Sequence, residues 1–228
     1  MMEAKRKVRG RDAALSRTQI VKAAIVILDR DGEAGLTFKA LAERLATGPG
    51  AIYGYIANKD DLLAAACDAI VANVMQGRKE CADPFDSIKA FAVGIFDAID
   101  ERPWVGAALV RLPGQSPLVR VLDAVGQDIR ALDVPADREW ASTMAVFNYI
   151  VGVGGQHAAN ARLAHSKHWD RTEMLASLAR SWSDLDAEEY PFAQSVAPQL
   201  SNHDDRADFL AGIEFILVGI RTCSRLIV

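Results

Sequence analysis

The 228-residue chain is 50% hydrophobic and 25% charged, a composition that excludes a disordered chain and suits one medium domain or a small domain joined to a larger one. Its net charge of −4 is unevenly spread: residues 1–62 carry 11 Lys and Arg against 8 Asp and Glu, whereas residues 63–228 carry 15 against 22. A polyanion is therefore expected at one end only, nucleic acid and membrane surface being equally open on charge alone.

Residues 1–15 hold Lys5, Arg6, Lys7, Arg9 and Arg11 without apolar periodicity, and are expected to form a flexible basic arm. Ser16 is placed to cap a first helix. Its Ile20, Ala23, Ala24, Ile27 and Leu28 recur at the spacing of one helical face, and Gly32 and Gly35 mark its end. Thr37 is placed to cap a short second helix with Leu41, Ala42 and Leu45 inward. Ala46-Thr47-Gly48 is a tight connection, and Pro49 suits the first turn of a third helix, where its missing N–H is not needed. Ile52 and Ile56 are that helix's apolar stripe. Asn58 can cap a fourth helix over about 58–79, with Leu62, Leu63, Ala66, Ile70 and Val74 on one face.

The remainder also reads as helix. Phe85, Ile88, Phe91, Ala92, Ile95, Phe96 and Ile99 make an amphipathic face, and Pro103 opens a short helix. Helices over 116–132, about 137–165 and about 169–184 follow. Pro191 and Pro198 make 185–205 a loop holding one short helix, before a last helix over about 206–226. No strand-like alternation or repeat is present, so the expected fold is all-α with about nine or ten helices. Residues 16–62 form a helix-turn-helix domain in this reading, and 63–228 a larger helical domain.

Two short helices joined by a tight turn and braced by a preceding helix can lay the second in a DNA major groove. Gly48 and Gly50 leave the backbone bare for close approach. Tyr53 and Tyr55 carry hydroxyls able to reach phosphate oxygens, and Thr37 and Lys59 stand at helix starts that favour an anion. Lys39 can reach a guanine edge, and the arm can touch phosphates or the minor groove.

The run LTFKALAERLATGPGAIYGYIANKDDLL at residues 36–63 resembles the DNA-binding signature of the tetracycline-repressor (TetR-like) family, and Thr18 to Gly35 is similar to that family's first helix. The resemblance implies an all-helical homodimer whose three N-terminal helices bind operator DNA and whose larger C-terminal domain binds a small-molecule inducer. It implies phosphate contacts at Thr37, Tyr53, Tyr55 and Lys59, and base-facing positions at Lys39, Pro49, Gly50 and Ala51. The turn departs from the family's common Gly-Val-Ser, so the cap of the third helix is Gly48 or shifts to Thr47. Direct readout then falls to Lys39, Thr47 and the arm, with DNA shape contributing. The C-terminal half resembles one branch of the family more loosely, through Tyr190-Pro191-Phe192 and the stretch Phe209 to Arg221.

In that half, Phe91, Phe96, Trp104, Met144, Phe147 and Trp182 are core residues by default and candidates for lining a cavity. Asn148 and His157 are their natural polar companions. The last helix is apolar over a wide arc through Phe209, Leu210, Ile213, Phe215, Ile216, Leu217, Val218 and Ile220, which calls for cover on two sides. Val151, Gly152 and Gly155 lie in the similarly broad helix 137–165, where small residues permit close packing or a kink. Together these two helices are the expected dimer interface, the alternative being burial within one subunit.

Other chemistry is not expected. Val151-Gly152-Val153-Gly154-Gly155 lacks the context and the Lys-Ser/Thr of a phosphate loop. His165, His168 and Asp170 sit beside Lys167 and Arg171, which repel a cation, so no metal site and no cofactor is expected. Cys67, Cys81 and Cys223 are odd in number, widely spaced and without a CxxC, which fits reduced thiols in a cytoplasm. No apolar run approaches the roughly 18 residues of a membrane span, and no signal peptide or nucleophile motif is seen. The reading is a ligand-responsive, homodimeric transcriptional regulator, most simply a repressor of a pseudo-palindromic operator and not an enzyme. The inducer is expected to be apolar or aromatic. The rivals are a DNA-binding protein without an inducer, and a helical enzyme or lipid-binding protein with an incidental basic head.

Overall fold

A computed structural model describes residues 15–77, 83–111, 114 and 116–225. Among these the regular structure is helical, without strands: α1 (Arg17–Gly35), α2 (Phe38–Arg44), α3 (Pro49–Tyr53), α4 (Lys59–Gly77), α5 (Pro84–Glu101), α6 (Pro103–Arg111), α7 (Ser116–Ala131), α8 (Ala136–Lys167), α9 (Arg171–Ser183), α10 (Pro191–Val196) and α11 (Asp205–Arg225). A 3-10 helix, Ala197–Asn202, follows α10. The described residues thus hold eleven α-helices where nine or ten were expected. The segment read as mostly loop is helical on both sides of Ala197, because Pro191 and Pro198 each open a helical turn. Residues up to Leu62 and residues from Leu63 onward form two compact units.

In the first unit the helix ends are set by short-range hydrogen bonds. Ser16 Oγ accepts from the Gln19 backbone N–H at 3.2 Å while Gln19 Oε1 accepts from the Ser16 N–H at 2.9 Å, a reciprocal cap. Thr37 Oγ1 accepts from the Ala40 N–H at 3.1 Å, and Asn58 Oδ1 from the Asp61 N–H at 2.8 Å. Each such cap contributes about 1 kcal/mol. Gly32 takes a left-handed φ of 63° and interrupts α1 before its last residues. Ile20, Ala24, Ile27, Leu28, Leu36, Leu41, Ile52, Ile56 and Leu62 are almost fully buried and form the core.

The second unit is built around α8, whose Thr143, Val146, Ile150, Gly154 and Ala158 face inward at helical spacing. The buried face of α5 is the one read from periodicity, Ile88 to Ile99. Close helix approach explains three glycines here. A Cβ on Gly106 would lie 2.8 Å from both the Gly154 carbonyl oxygen and the Ala158 Cβ. One on Gly154 would lie 2.6 Å from Ile99 Cδ1, and one on Gly155 would lie 2.5 Å from Val110 Cγ2. Val110 of α6 in the same chain thus stands against Gly155, which is half-buried.

Two of the residues expected at the interface pack within the chain. Phe209 is 2% exposed and Ile213 fully buried within one chain, because the 209–213–217 stripe of α11 is the one that packs inward. Phe215 and Val218 lie outside that stripe, at 77% and 56% exposure. Val151, Ile216 and Ile220 are half-buried, and, beyond α8's own backbone, no described residue comes within 4 Å of a Cβ added at Gly152.

The segment after α8 serves helix ends. His168 adopts a left-handed φ of 56° and stops α8, and the Asp170 and Glu173 side chains reciprocally cap α9. Among the described residues no group of three or more His, Cys, Asp or Glu is arranged to hold a metal, and no helix is long and apolar enough to cross a membrane. Cys67 is buried on α4, and burial pushes its thiol up to about 12. The thiolate is the reactive form, so Cys67 is expected to resist iodoacetamide at pH 8 in the folded protein and to react on unfolding, as peptide mapping would show.

Candidate nucleic-acid interface and internal cavity

The α2–turn–α3 segment presents a small, bare surface. The chain reverses at Ala46, a non-glycine residue with φ 51°, and the Thr47 N–H donates to the Ala42 carbonyl at 3.0 Å. Of the two caps left open by the sequence, the structure has Gly48, with no side-chain hydrogen bond to α3. Pro49 has no N–H to satisfy, and the N–H groups behind it begin α3 without a side-chain acceptor. Gly48, Pro49, Gly50 and Ala51 are all exposed. A Cβ on Gly48 or Gly50 would meet nothing within 4 Å, so no packing among the described residues of this unit requires glycine at either place.

The flanking side chains are disposed around this surface. Thr37 and Lys39 are exposed at the start of α2. Tyr53 is 56% exposed with its ring stacked on Phe38, centroids 4.4 Å apart and planes 13° from parallel. Tyr55 is 44% exposed. Lys59 is placed differently from the sequence expectation: it is half-buried, and its Nζ donates at 2.7 Å to the Glu33 carbonyl at the end of α1. An ammonium has three N–H groups, so two remain for another acceptor. Lys5, Arg6, Lys7 and Arg9 lie outside the described residues.

The left-handed Ala46 allows a direct test of the turn. A Cβ in that conformation costs roughly 1–2 kcal/mol that glycine does not pay. Ala46→Gly is therefore expected to stabilise the protein by about 1 kcal/mol in thermal or urea unfolding, leaving DNA affinity unchanged.

The second unit contains a cavity of about 560 Å³ walled by α5, α8, α9, the 3-10 helix and α11. Its α8 wall is the Tyr149, Val153, Gln156, His157, Asn160 face. Phe96, Phe209 and Tyr149 form a file of near-parallel rings with centroid spacings of 4.9 and 5.4 Å, and Trp169 and Trp182 stand on the α9 side. Tyr149 Oη donates to the Phe209 carbonyl at 3.3 Å, and burial first, then the Asp208 carboxylate, push its hydroxyl above the ordinary value. One end is polar. His157 Nε2 lies 2.7 Å from Asp100 Oδ1, and His203 places its two ring nitrogens 3.0 Å from Asp205 Oδ1 and Asp208 Oδ2. A second, polar chamber of about 510 Å³ shares Phe96, His157, His203 and Asp205 with the first.

Of the eight residues singled out for a cavity, Phe96, His157 and Trp182 line this one. Phe91 and Trp104 are buried away from it. Met144, Phe147 and Asn148 do not line it, because they precede the cavity-facing stripe of α8, which begins at Tyr149. His203, Asp205 and Asp208 were not anticipated. The one signal for them was a His-Asp-Asp run at the start of the last helix.

The profile of the family described as bacterial regulatory proteins, tetR family, matches residues 20–66. An HTH-type transcriptional regulator from Saccharopolyspora erythraea is 27% identical over 214 residues, 93% of this chain and 87% of the relative. A solved TetR transcriptional regulator from Streptomyces coelicolor is 42% identical, with a TM-score of 0.80, and the match covers 92% of this chain and all of that one. ActR from the same organism, solved with actinorhodin, shares the fold at 18% identity and a TM-score of 0.74, over 93% of this chain and 98% of ActR.

Proposed function

The chain belongs to the TetR family of bacterial transcriptional regulators, and we propose that within it this protein is a homodimeric, cytoplasmic repressor released from a pseudo-palindromic operator by a small molecule. The observation that carries the DNA-facing part is the exposed Gly48–Ala51 run, glycine-rich where its own unit has no need of glycine. Such a surface lets the start of α3 approach base edges, with Thr37, Tyr53 and Tyr55 on phosphates and Lys39 toward the groove. Lys59 and the arm add charge, and binding weakens as salt rises because bound counterions are released.

The effector part rests on the cavity in the second unit. Ligand there favours one arrangement of the helices around it over another, and the difference in ligand affinity between the two sets how far operator binding falls. The natural carrier is α4, which begins at Lys59 and continues to Gly77. Within the second unit Asp68 of α4 accepts two hydrogen bonds from Arg120 of α7, at 2.8 and 2.9 Å, and one from Ser116 Oγ at 3.0 Å.

Dimerisation is proposed through the outward side of α11 and the neighbouring face of α8, with Phe215, Val218 and Gly152 at its centre. Phe215→Asp is expected to give a monomer at micromolar concentration in light scattering and to lower operator affinity by at least about tenfold, since one half-site no longer holds the other in place. The decisive experiment is fluorescence anisotropy against DNA from immediately upstream of the gene, with scrambled DNA as control, at two salt concentrations. Tight, salt-sensitive binding to the upstream fragment alone is expected. Equal binding to both fragments would replace the repressor with a nonspecific DNA-binding protein.

A further inference from the structure

Charge is distributed one-sidedly around the cavity. Among the described residues, those of fixed charge that line the main chamber are Asp205 and Asp208, and no Lys or Arg lines it. Two arginines border the adjoining chamber, but both are engaged. Arg171 donates to Asp205 Oδ2 at 2.9 Å and to the His203 carbonyl, and Arg206 donates to both oxygens of Asp97 at 2.7 and 3.1 Å. Asp208 meets His203 through one oxygen, and its side chain is 68% exposed. A carboxylate offers about four acceptor sites, so Asp208 keeps capacity for a further donor. The rest of the lining is mostly apolar or aromatic, and ring faces attract a cation within about 6 Å of their centres.

From this arrangement we propose that the effector is a flat aromatic molecule bearing a protonated amine. Its ring system lies along the aromatic file of Phe96, Phe209 and Tyr149, and its ammonium group donates to Asp208. An acidic ligand of the same shape would place its charge opposite Asp208, and the arginines that border the adjoining chamber already serve Asp205, the His203 carbonyl and Asp97, which selects against it. A chamber of about 560 Å³ is in the usual range for a small-molecule site and holds three or four fused rings with a short arm. The inference rests on the cavity being the effector site, and the experiment separates the two ideas.

Three probes share one ring system: 1-pyrenemethylamine, 1-pyrenemethanol and 1-pyrenecarboxylate, cationic, neutral and anionic at pH 7. Each is titrated by fluorescence into the full-length protein, Asp208→Asn and Ser177→Trp, all shown to be folded by thermal unfolding. Ser177 lines the chamber, so the tryptophan fills it. The amine is expected to bind at least about tenfold more tightly than the alcohol, and the acid most weakly. Asp208→Asn is expected to bring the amine to the level of the alcohol while leaving the alcohol unchanged, and Ser177→Trp to weaken all three. If the acid binds as tightly as the amine, or the amine's advantage survives Asp208→Asn, while Ser177→Trp still expels the probes, the cavity is a ligand site and the cationic assignment is wrong. If no probe binds, or Ser177→Trp leaves binding intact, the cavity reading itself falls and takes the proposal with it.

Discussion

Gly50→Glu is expected to lower operator affinity by at least about 100-fold, close to 3 kcal/mol, while the protein melts at the same temperature or higher. The two effects separate because different partners feel the substitution. Inside the chain, a Cβ at residue 50 meets nothing within 4 Å, and φ there is not left-handed. Replacing glycine by glutamate in a helix gains about 0.5–1 kcal/mol in propensity, and a carboxylate in the first turn suits the helix dipole. Facing DNA, the same carboxylate fills the bare approach beside Gly48 and sets a negative charge against the duplex. Anisotropy and thermal unfolding on one preparation give both numbers. A variant that binds the operator as well as the parent would mean that the start of α3 does not face DNA.

Gly106→Val acts in the opposite way, on the fold and not on a surface. Its Cβ would stand 2.8 Å from the Gly154 carbonyl and from Ala158 Cβ, and 2.9 Å from Ile99 Cγ2. Two of these neighbours are backbone or a Cβ, and neither can rotate away. The helices must separate, and overpacking of this kind costs about 3 kcal/mol. In a chain of this size that lowers Tm by roughly 6–12 °C. Gly152→Ala is the matched control on α8, because, beyond the helix's own backbone, its Cβ meets no described residue within 4 Å. It should leave Tm unchanged or slightly raised, and a change in oligomeric state would place Gly152 against a second subunit. Equal losses in Gly106→Val and Gly152→Ala would show that the close contact at Gly106 does not set the effect, since helix propensity alone favours both replacements.

The difference between these glycines marks the limit of what the sequence discloses. In the first unit the signals are local: Ser16 with Gln19, Thr37 three residues before the N–H that donates to it, and Pro49 at a first turn each settle a helix end within four residues. The faces of α1 and α5 follow from spacing for the same reason. The cavity is assembled from residues as far apart as Phe96, His157, Trp182 and Phe209, and spacing within one helix does not reveal which helices surround a void. Phe91 and Phe96 share the inward side of α5, yet Phe96 borders the chamber and Phe91 does not. Gly152, Gly154 and Gly155 look alike in sequence, but two are occupied by Ile99 and Val110 of the same chain and one is open. On α11 a broad apolar arc was legible, while its division between an inward Phe209–Ile213–Leu217 stripe and an outward Phe215 and Val218 depended on what packs beside it. Lys59 was read from its position at a helix start, and the carbonyl it serves lies 26 residues earlier in the chain.

Asp208, which lines the cavity, has a side chain 68% exposed, and Asp100, which borders the adjoining chamber, is 66% exposed. A ligand of the proposed site would therefore reach Asp208 from solvent without waiting for a helix to unfold or a lid to lift. With an association rate of about 10⁷ M⁻¹s⁻¹, an effector of micromolar affinity leaves at about 10 per second. Occupancy of the proposed site would then follow the surrounding concentration within about a second, far faster than a transcript is made or lost, and the regulator would keep no memory of a ligand that has gone.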